Sequence, residues 1–368
     1  MVEWKELGEI ANITIGEFVR RDKQVPNGEF PIYNGGTTYT GFYDKFNNTG
    51  NKIVISARGN AGFVNRVFCN YWAGNSSYSI DVIAEYVSWH FVYYYLKNFQ
   101  YTLMGMQQKG GGLAAISKEQ VKSILIPLPL PSEQSRIVSI LDTFTASIAN
   151  LKEQIGERRK QYEHYRNQLL QLEGKEPSET PCFGEFCEIS KGNGVQKADF
   201  VDEGRGCIHY GQIYTHYGPV TYTTNKFISQ EVFEKAKKAS TGDVILTDTS
   251  ENVDDICKSV AYLGEEDIAV SNHTFILKHK QNPKFISYST STQSFSLQKR
   301  KFVVGAKVSC IKTDHFSKIR IYLPSLSEQS RIVSILDQFE ASIANLEAQL
   351  QEREKQYEHY RNQLLTFE

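Results

Sequence analysis

Residues Ser132 to Glu173 read SEQSRIVSILDTFTASIANLKEQIGERRKQYEHYRNQLLQLE, and Ser327 to Glu368 read SEQSRIVSILDQFEASIANLEAQLQEREKQYEHYRNQLLTFE. The two passages differ at 9 of 42 positions. In the first, Phe144, Ile148, Leu151, Ile155, Tyr162, Tyr165, Leu169 and Leu172 alternate steps of four and three once Arg158 is admitted, which is a heptad seam. The second repeats it through Phe339, Ile343, Leu346, Leu350, Arg353, Tyr357, Tyr360, Leu364 and Phe367. A seam arginine fixes register at some cost in stability, and Glu157 or Glu352 is placed to neutralise it. Ser132 and Ser327 are the candidate N-caps. The pattern predicts a short helix, an interruption at LDTF or LDQF, and then a long helix, the first copy stopping at Gly174 as its C′ residue.

Connectivity decides how the arms pair. A linker of residues 174–181, GKEPSETP, ties the end of the first arm to a second unrepeated block, which runs directly into the start of the second arm. A parallel pair would oblige that block to bridge about 30 helical residues, roughly 45 Å. The expectation is therefore an antiparallel coiled coil with a globular domain at each end, the two related by a pseudo-twofold axis.

Those domains are themselves copies. Leu7-Gly8-Glu9-Ile10 with Gly16 matches Phe183-Gly184-Glu185-Phe186 with Gly192, and Ile32 and Gly35 continue the register onto Ile208 and Gly211. Between them lie short β-branched runs such as NKIVISARG, DVILTD and HTFILKHK, bounded by Gly, Asn and Asp. The fold class is mixed α/β (α+β): two α/β domains separated by two long antiparallel coiled-coil helices. The divisions are 1–131 and 182–326 for the domains, 132–173 and 327–368 for the helical spacers, and 174–181 for the linker.

The formal net charge of the 368 residues is −1, so any polyanion site must be a local patch. MVEWKELGEI lacks the basic start and apolar core of a signal peptide, and six cysteines show no C-x-x-C pair, which together point to a cytoplasmic protein with reduced thiols. The aromatic run WHFVYYYLKNF (Trp89–Phe99) recurs at helical spacing and reads as core. The chain has no methyltransferase N/D-P-P-Y/F tetrapeptide, no phosphate-binding G-x-x-x-x-G-K-[ST] loop and no metal-ligand spacing, so no catalytic residue, cofactor or metal is assigned to it.

The order W-x-x-L-G-E-I (Trp4 to Ile10), PIYNGG (Pro31–Gly36), LPLPSEQ and LPSLSEQ, together with the doubled helices, resembles the specificity subunits of type I restriction-modification systems along essentially the whole chain. The resemblance implies a DNA-binding, non-catalytic subunit whose two target recognition domains each read one half of a bipartite, asymmetric site in double-stranded DNA. It implies two modification subunits that bind S-adenosylmethionine and methylate adenine, and restriction subunits that use ATP to translocate and cleave. Helices of about 45 Å would hold the half-sites roughly 13 base pairs apart.

Base reading calls for donors and acceptors on loops. In the first domain the candidates are Arg20, Arg21 and Lys23 beside a turn, Tyr33, Asn34, Gly35, Gly36, Thr37, Thr38 and Tyr39 around the glycine pair, Arg58 and Asn60 in SARGN, and Lys109 opening the glycine run KGGGLAAIS. In the second they are Tyr210, Gln212, Tyr214, Thr215, His216 and Tyr217 in the matching turn, and Thr247, Thr249 and Ser250 in TDTSEN. Lys299, Arg300 and Lys301 in QKRK are the phosphate candidates, because adjacent cations repel unless solvated or neutralised. The competing reading is a coiled-coil adaptor that organises a protein assembly without touching DNA, favoured by the near-neutral charge and the acidic second arm.

Overall fold

The computed structural model describes residues 2–106, 115–305 and 308–367. Two units emerge, residues 1–153 with 347–368 and residues 154–346, each with its own core.

In the first unit β1 (Glu3–Glu6) leads through the single turn α1 (Leu7–Ile10) to β2 (Ala11–Ile15). A hairpin of β3 (Phe30–Tyr33) and β4 (Gly41–Tyr43) follows, then β5 (Lys52–Ser56), β6 (Val64–Val67), β7 (Trp72–Ala73) and β8 (Ser77–Val82). Helices α2 (Trp89–Asn98), α3 (Gln100–Gly105) and α4 (Lys118–Lys122) precede β9 (Leu125–Leu128), which delivers the chain to the 39-residue helix α5 (Pro131–Leu169). The main sheet has the antiparallel order β2-β8-β5-β6, a smaller sheet the order β4-β3-β7 with β3 and β7 parallel, and β1 pairs with β9. The apolar run of β5 is continuous because both its faces are covered: Ile53 and Ile55 enter the main core, while Val54 packs with Val67 and Tyr71 on the other side. The main core takes in Phe91, Tyr94 and Leu96 of α2, so the aromatic run is interior as its spacing predicts.

The second unit repeats this plan. It comprises α6 (Phe183–Phe186), β10 (Glu188–Lys191), β11 (Phe200–Val201), β12 (Arg205–Ile208), α7 (Tyr210–Thr215), β13 (Val220–Thr221), β14 (Lys226–Ile228), α8 (Gln230–Lys235) and β15 (Lys238–Ala239). There follow β16 (Val244–Thr247), β17 (Thr249–Ser250), β18 (Ser259–Tyr262), β19 (Ile268–Val270), β20 (Thr274–Lys278), α9 (Pro283–Ser289), α10 (Gln293–Arg300), β21 (Ser309–Cys310), α11 (Thr313–Phe316) and the start of the 39-residue helix α12 (Leu326–Leu364), which passes into the first unit at residue 347. Strands β10-β20-β16-β18 reproduce the order of the first unit's main sheet, with β13 added at the edge. The smaller sheet becomes β11-β14-β12-β19-β15, its β12 and β19 parallel as β3 and β7 are.

Within each unit the helical repeats run antiparallel. In the first, Phe144 of α5 meets Tyr357 and Tyr360 of α12 at 6.4 and 5.4 Å between ring centroids, and further along Lys152 pairs with Glu354 at 2.8 Å. In the second, Phe339 meets Tyr162 and Tyr165 at 6.3 and 5.4 Å. The seam arginines lie over rings, Arg158 5.9 Å from the Phe339 centroid and Arg353 5.6 Å from that of Phe144, and among the described residues neither forms an ion pair with Glu157 or Glu352.

Three details of the predicted arms need correction. Neither helix breaks at LDTF or LDQF. Asp142 and Asp337 turn their carboxylates away from the helix backbone, to Tyr94 Oη (2.5 Å) and Arg66 Nη1 (2.9 Å) in the first unit and to Tyr288 Oη (2.7 Å) and Lys284 Nζ (2.8 Å) in the second. Ser132 and Ser327 lie inside the first turns: α5 starts on Pro131, and in α12 the cap is Ser325, whose Oγ accepts from the Glu328 amide at 3.4 Å. Finally, α5 ends at Leu169, before Gly174, because Leu170 turns into the second unit's core, 2% exposed. Leu365 does the same for α12 in the first unit, 4% exposed, without any glycine.

The glutamine of each SEQ motif completes the attachment. Gln134, 1% exposed, accepts from the amide of Ser88, the N-cap of α2, at 2.8 Å and donates to Pro129 O at 2.9 Å. Gln329, fully buried, accepts from the amide of Asn282, the N-cap of α9, at 3.0 Å and donates to Pro324 O at 2.8 Å. Burial tends to raise the Asp142 carboxyl, but the Tyr94 hydroxyl and the Arg66 guanidinium outweigh it and hold the group below the usual carboxylate range. A carboxyl depressed in the folded state contributes stability above its unfolded pKa and loses it as pH falls through the folded one. Asp142→Ala is expected to destabilise the first unit by about 1–3 kcal/mol, since it strands a half-buried guanidinium and a phenol. A denaturant titration of the intact chain checks this, and the deficit should shrink as the pH is lowered into the carboxylate range.

Candidate nucleic-acid interface

Both units knit three loops together at one end of their sheets. Gly16 follows β2 and Gly192 follows β10; their amides donate to Ser77 O and Thr274 O, both at 3.1 Å. A Cβ at either would stand 2.1 or 2.2 Å from the carbonyl oxygen of Ala73 or Ser271, so the close approach of backbones requires glycine. The loop after β5 is hung on the Ser76 carbonyl by the Ala57 amide at 2.8 Å, as the loop after β16 is hung on His273 by the Asp248 amide at 3.0 Å. Gly74 donates to Tyr33 O at 2.8 Å, and Ser271 to Ile208 O at 3.0 Å.

These bonds set the correspondence residue by residue. Asn34 matches His209 and Gly35 matches Tyr210, one position away from the register read by aligning Gly35 with Gly211. Arg58 matches Thr249, Ser76 matches His273, Ala57 matches Asp248, and Ile15 matches Lys191. SARGN and TDTSEN are thus one loop in two versions. The loops Gly74–Ser76 and Ser271–His273 belong to the same edge and are not among the sequence candidates; their signal is the Gly-Asn-Ser and Ser-Asn-His triplets between two strand-forming runs.

In the first unit the glycine pair is structural at its core and open at its tip. Gly35, at φ +77°, donates to Ser77 Oγ at 3.0 Å and accepts from both the amide and the side chain of Asn60 at 3.0 and 3.3 Å. Asn34 Oδ1 accepts from the Ser76 amide at 3.0 Å, and Ser56 Oγ donates to Gly36 O at 2.9 Å. Tyr33 is half-buried edge-on to Tyr71, and burial pushes its phenol up. Thr37, Thr38, Tyr39 and Arg58 are exposed, Arg58 without an ion pair among the described residues. Arg20, Arg21 and Lys23 are exposed on a short turn beside β4, with Arg20 Nε 3.2 Å from Asp22. Lys109 lies outside the described residues.

The second unit departs further from expectation. Residues 210–215 form α7, a helix in place of the predicted turn, because His209 and Gln212 make a reciprocal cap. Gln212 and Tyr217 are consequently turned inward, both bonded to Asn225. Tyr214 donates to Thr249 O at 2.5 Å, with burial pushing its phenol up to about 12. Thr215 donates to Gly211 O at 3.0 Å, His216 is exposed, and Tyr210 is half-buried with its ring 5.3 Å from that of His273. Thr247 is fully buried, while Thr249 and Ser250 are half-buried at the loop.

QKRK is not a solvated basic face. Lys299 is 4% exposed, its ammonium donating to Asp254 O at 2.5 Å and Ile256 O at 2.6 Å, and Arg300 is paired with the Asp254 carboxylate. Within QKRK, Lys301 is the cation that is exposed with no ion pair to another described residue. Among those residues no group of three or more His, Cys, Asp or Glu is disposed to hold a metal ion, and no helix is long and apolar enough to cross a membrane. Burial pushes the Cys187, Cys207 and Cys257 thiols up to about 12, which leaves them unreactive.

Residues 1–158 and 175–355 match the type I restriction modification DNA specificity domain. The chain belongs to that family. It is 27% identical over 388 residues, all of this chain and 96% of the relative, to a putative type I restriction enzyme specificity subunit of Haemophilus influenzae. It is 28% identical over 301 residues, 75% of this chain and 70% of the relative, to the EcoR124I/EcoR124II specificity subunit of Escherichia coli. The fold is that of the crystal structure of the type I restriction-modification S subunit from M. genitalium, with a TM-score of 0.63 at 17% identity over 100% of this chain and 97% of that one. As a type I specificity subunit the chain is non-catalytic, the catalytic activities residing in other subunits, and membership of a DNA-specificity family displaces the adaptor reading.

The burial of Lys299 generates a discriminating prediction. Lys299→Met should lower the chain's unfolding free energy by about 1–3 kcal/mol through two stranded carbonyls, yet leave the salt dependence of DNA binding by the assembled complex unchanged. Lys301→Ala should leave the unfolding free energy unchanged and lower the log–log salt slope by about one.

Proposed function

We propose that residues 1–131 and 182–326 are two target recognition domains, each reading one half of a bipartite, asymmetric DNA site, and that the spacers 132–173 and 327–368 set the unread interval. Two modification subunits, carrying S-adenosylmethionine, dock on the scaffold to methylate an adenine in each half-site; restriction subunits add ATP-driven translocation and cleavage. The observation that carries this reading is that both units hang the same loops on the same backbone bonds and differ in the side chains displayed there: Ile15, Arg58 and Ser76 in one, Lys191, Thr249 and His273 in the other. A common frame with unlike side chains is what reading two unlike sequences requires. The near-zero charge supports a division of labour in which partner subunits supply much of the electrostatic grip.

Two measurements test it. The chain is co-expressed with its modification subunits and methylated adenines are mapped across a genome. Exchanging Thr37–Tyr39 and Arg58–Asn60 for other sequences should alter one half-site and leave the other half and the spacer untouched; a single contiguous motif, or no change, would overturn the reading. Inserting one heptad into each helix, after Leu151 and after Leu346, keeps the seam in phase and adds about 10 Å. The unread interval should lengthen by about three base pairs.

A further inference from the structure

The loops of the second unit surround a hollow of about 580 Å³ in which a buried carboxylate holds a lysine at the rim. Asp248 is 4% exposed. Its Oδ2 accepts from Lys191 Nζ at 3.0 Å and its Oδ1 from Thr249 Oγ1 at 2.8 Å, with His273 Nδ1 3.8 Å from Oδ1. The Lys191 side chain remains more than half exposed, and with one N–H donor used on Asp248 its ammonium keeps two for a ligand. His273, at φ +65°, closes one wall with its ring against Tyr210.

The fold does not demand this pair. In the first unit the same two backbone positions are filled by Ile15 and Ala57, with the sheet order and loop hydrogen bonds unchanged. The pair itself is a poor grip on phosphate, because the carboxylate cancels the Lys191 charge at 3.0 Å; Lys237, which lines the same hollow and is exposed, is better suited to that role. What Asp248 does supply is position: it tethers the ammonium at the rim while two of its donors stay uncommitted. Guanine offers two acceptors, O6 and N7, on its major-groove edge, whereas adenine sets an N6 amino donor beside its N7. A tethered ammonium can pair with both acceptors of the first, whereas at the second it can reach N7 only and meets the N6 donor beside it.

We infer that Lys191, positioned by Asp248, reads a guanine in the half-site of the second unit, and that the first unit has no such reader at the corresponding place. This rests on the half-site reading given above. The test uses the full chain assembled with its modification subunits and genome-wide mapping of methylated adenines, for the parent and for Lys191→Ala, Lys191→Arg and Asp248→Asn. The half-site assigned to the second unit by loop exchange should specify a guanine at one position. Lys191→Ala should relax that position alone, discrimination against the other bases falling about tenfold, while Lys191→Arg, which also pairs with O6 and N7, keeps it. Asp248→Asn retains the bond from Thr249 but releases the ammonium, so guanine discrimination should fall while binding to non-specific DNA rises. A second half-site with no guanine on either strand would overturn the inference, as would a Lys191→Ala protein that loses occupancy uniformly at all sites with a salt slope lowered by about one, the mark of a phosphate contact. Unchanged discrimination in Asp248→Asn would remove the positioning role. If the parent complex methylates no bipartite site, the half-site reading itself fails, which is a distinct result.

Discussion

Everything the loops can do depends on a polar attachment between helix and domain that the chain builds twice. Gln134 and Asp142 hold the N-cap of α2 and Tyr94; Gln329 and Asp337 hold the N-cap of α9 and Tyr288. Each glutamine bond contributes roughly 0.5–1.5 kcal/mol net and each bond to a carboxylate about 1.5–3 kcal/mol, so stability is one reason for keeping them. Direction is the better one. The apolar contacts of Ile137 and Leu141, or of Ile332 and Leu336, resist separation but tolerate sliding. A buried amide with both ends bonded accepts one placement and penalises others. A domain that must present loops to a fixed partner needs that orientation fixed.

The attachment also explains which parts of the sequence were legible. The heptad seam and the duplication follow from spacing alone, and the antiparallel pairing follows from the linker's length. The helix ends do not, since they are settled by distant groups. An Asp in mid-helix reads as a breaker because its side chain competes for backbone hydrogen bonds, and Asp142 does so only until Tyr94 and Arg66 claim it. Gly174 reads as a terminator, but α5 stops sooner because Leu170 gains more by entering the core than by extending the helix.

The candidate site divides in the same way. Exposed donors such as Arg58, Thr38 and His216 sit on loops, where turn chemistry placed them. The misreadings concern groups whose partners are remote in sequence. Lys299 looks like one cation of three until the carbonyls of Asp254 and Ile256, more than forty residues earlier, are brought beneath it. The helix α7 looks like a turn because its glycine was aligned with the wrong residue, and the one-position slip appears only when Gly74 and Ser271 reveal which carbonyl each approaches. Lys191 and Asp248 were passed over for a related reason: 57 residues apart, neither forms a motif until the sheet joins them.

Near-neutrality and sequence reading are compatible for a physical reason. Each uncompensated surface cation adds affinity for every DNA site equally, and against a genome of competing sites that increment does nothing for selectivity. A cation balanced by a buried carboxylate adds little general affinity, but its hydrogen bonds still distinguish one base edge from another. On the proposed division of labour, in which partner subunits hold the duplex, such pairs raise the ratio between right and wrong sites without raising the attraction to both. The Lys191–Asp248 pair meets that condition, and the backbone bonds around it show how the two units can differ there: the loop is held by the amide of Ala57 or Asp248, so the hydrogen bond to the facing carbonyl does not depend on which side chain is buried at that position.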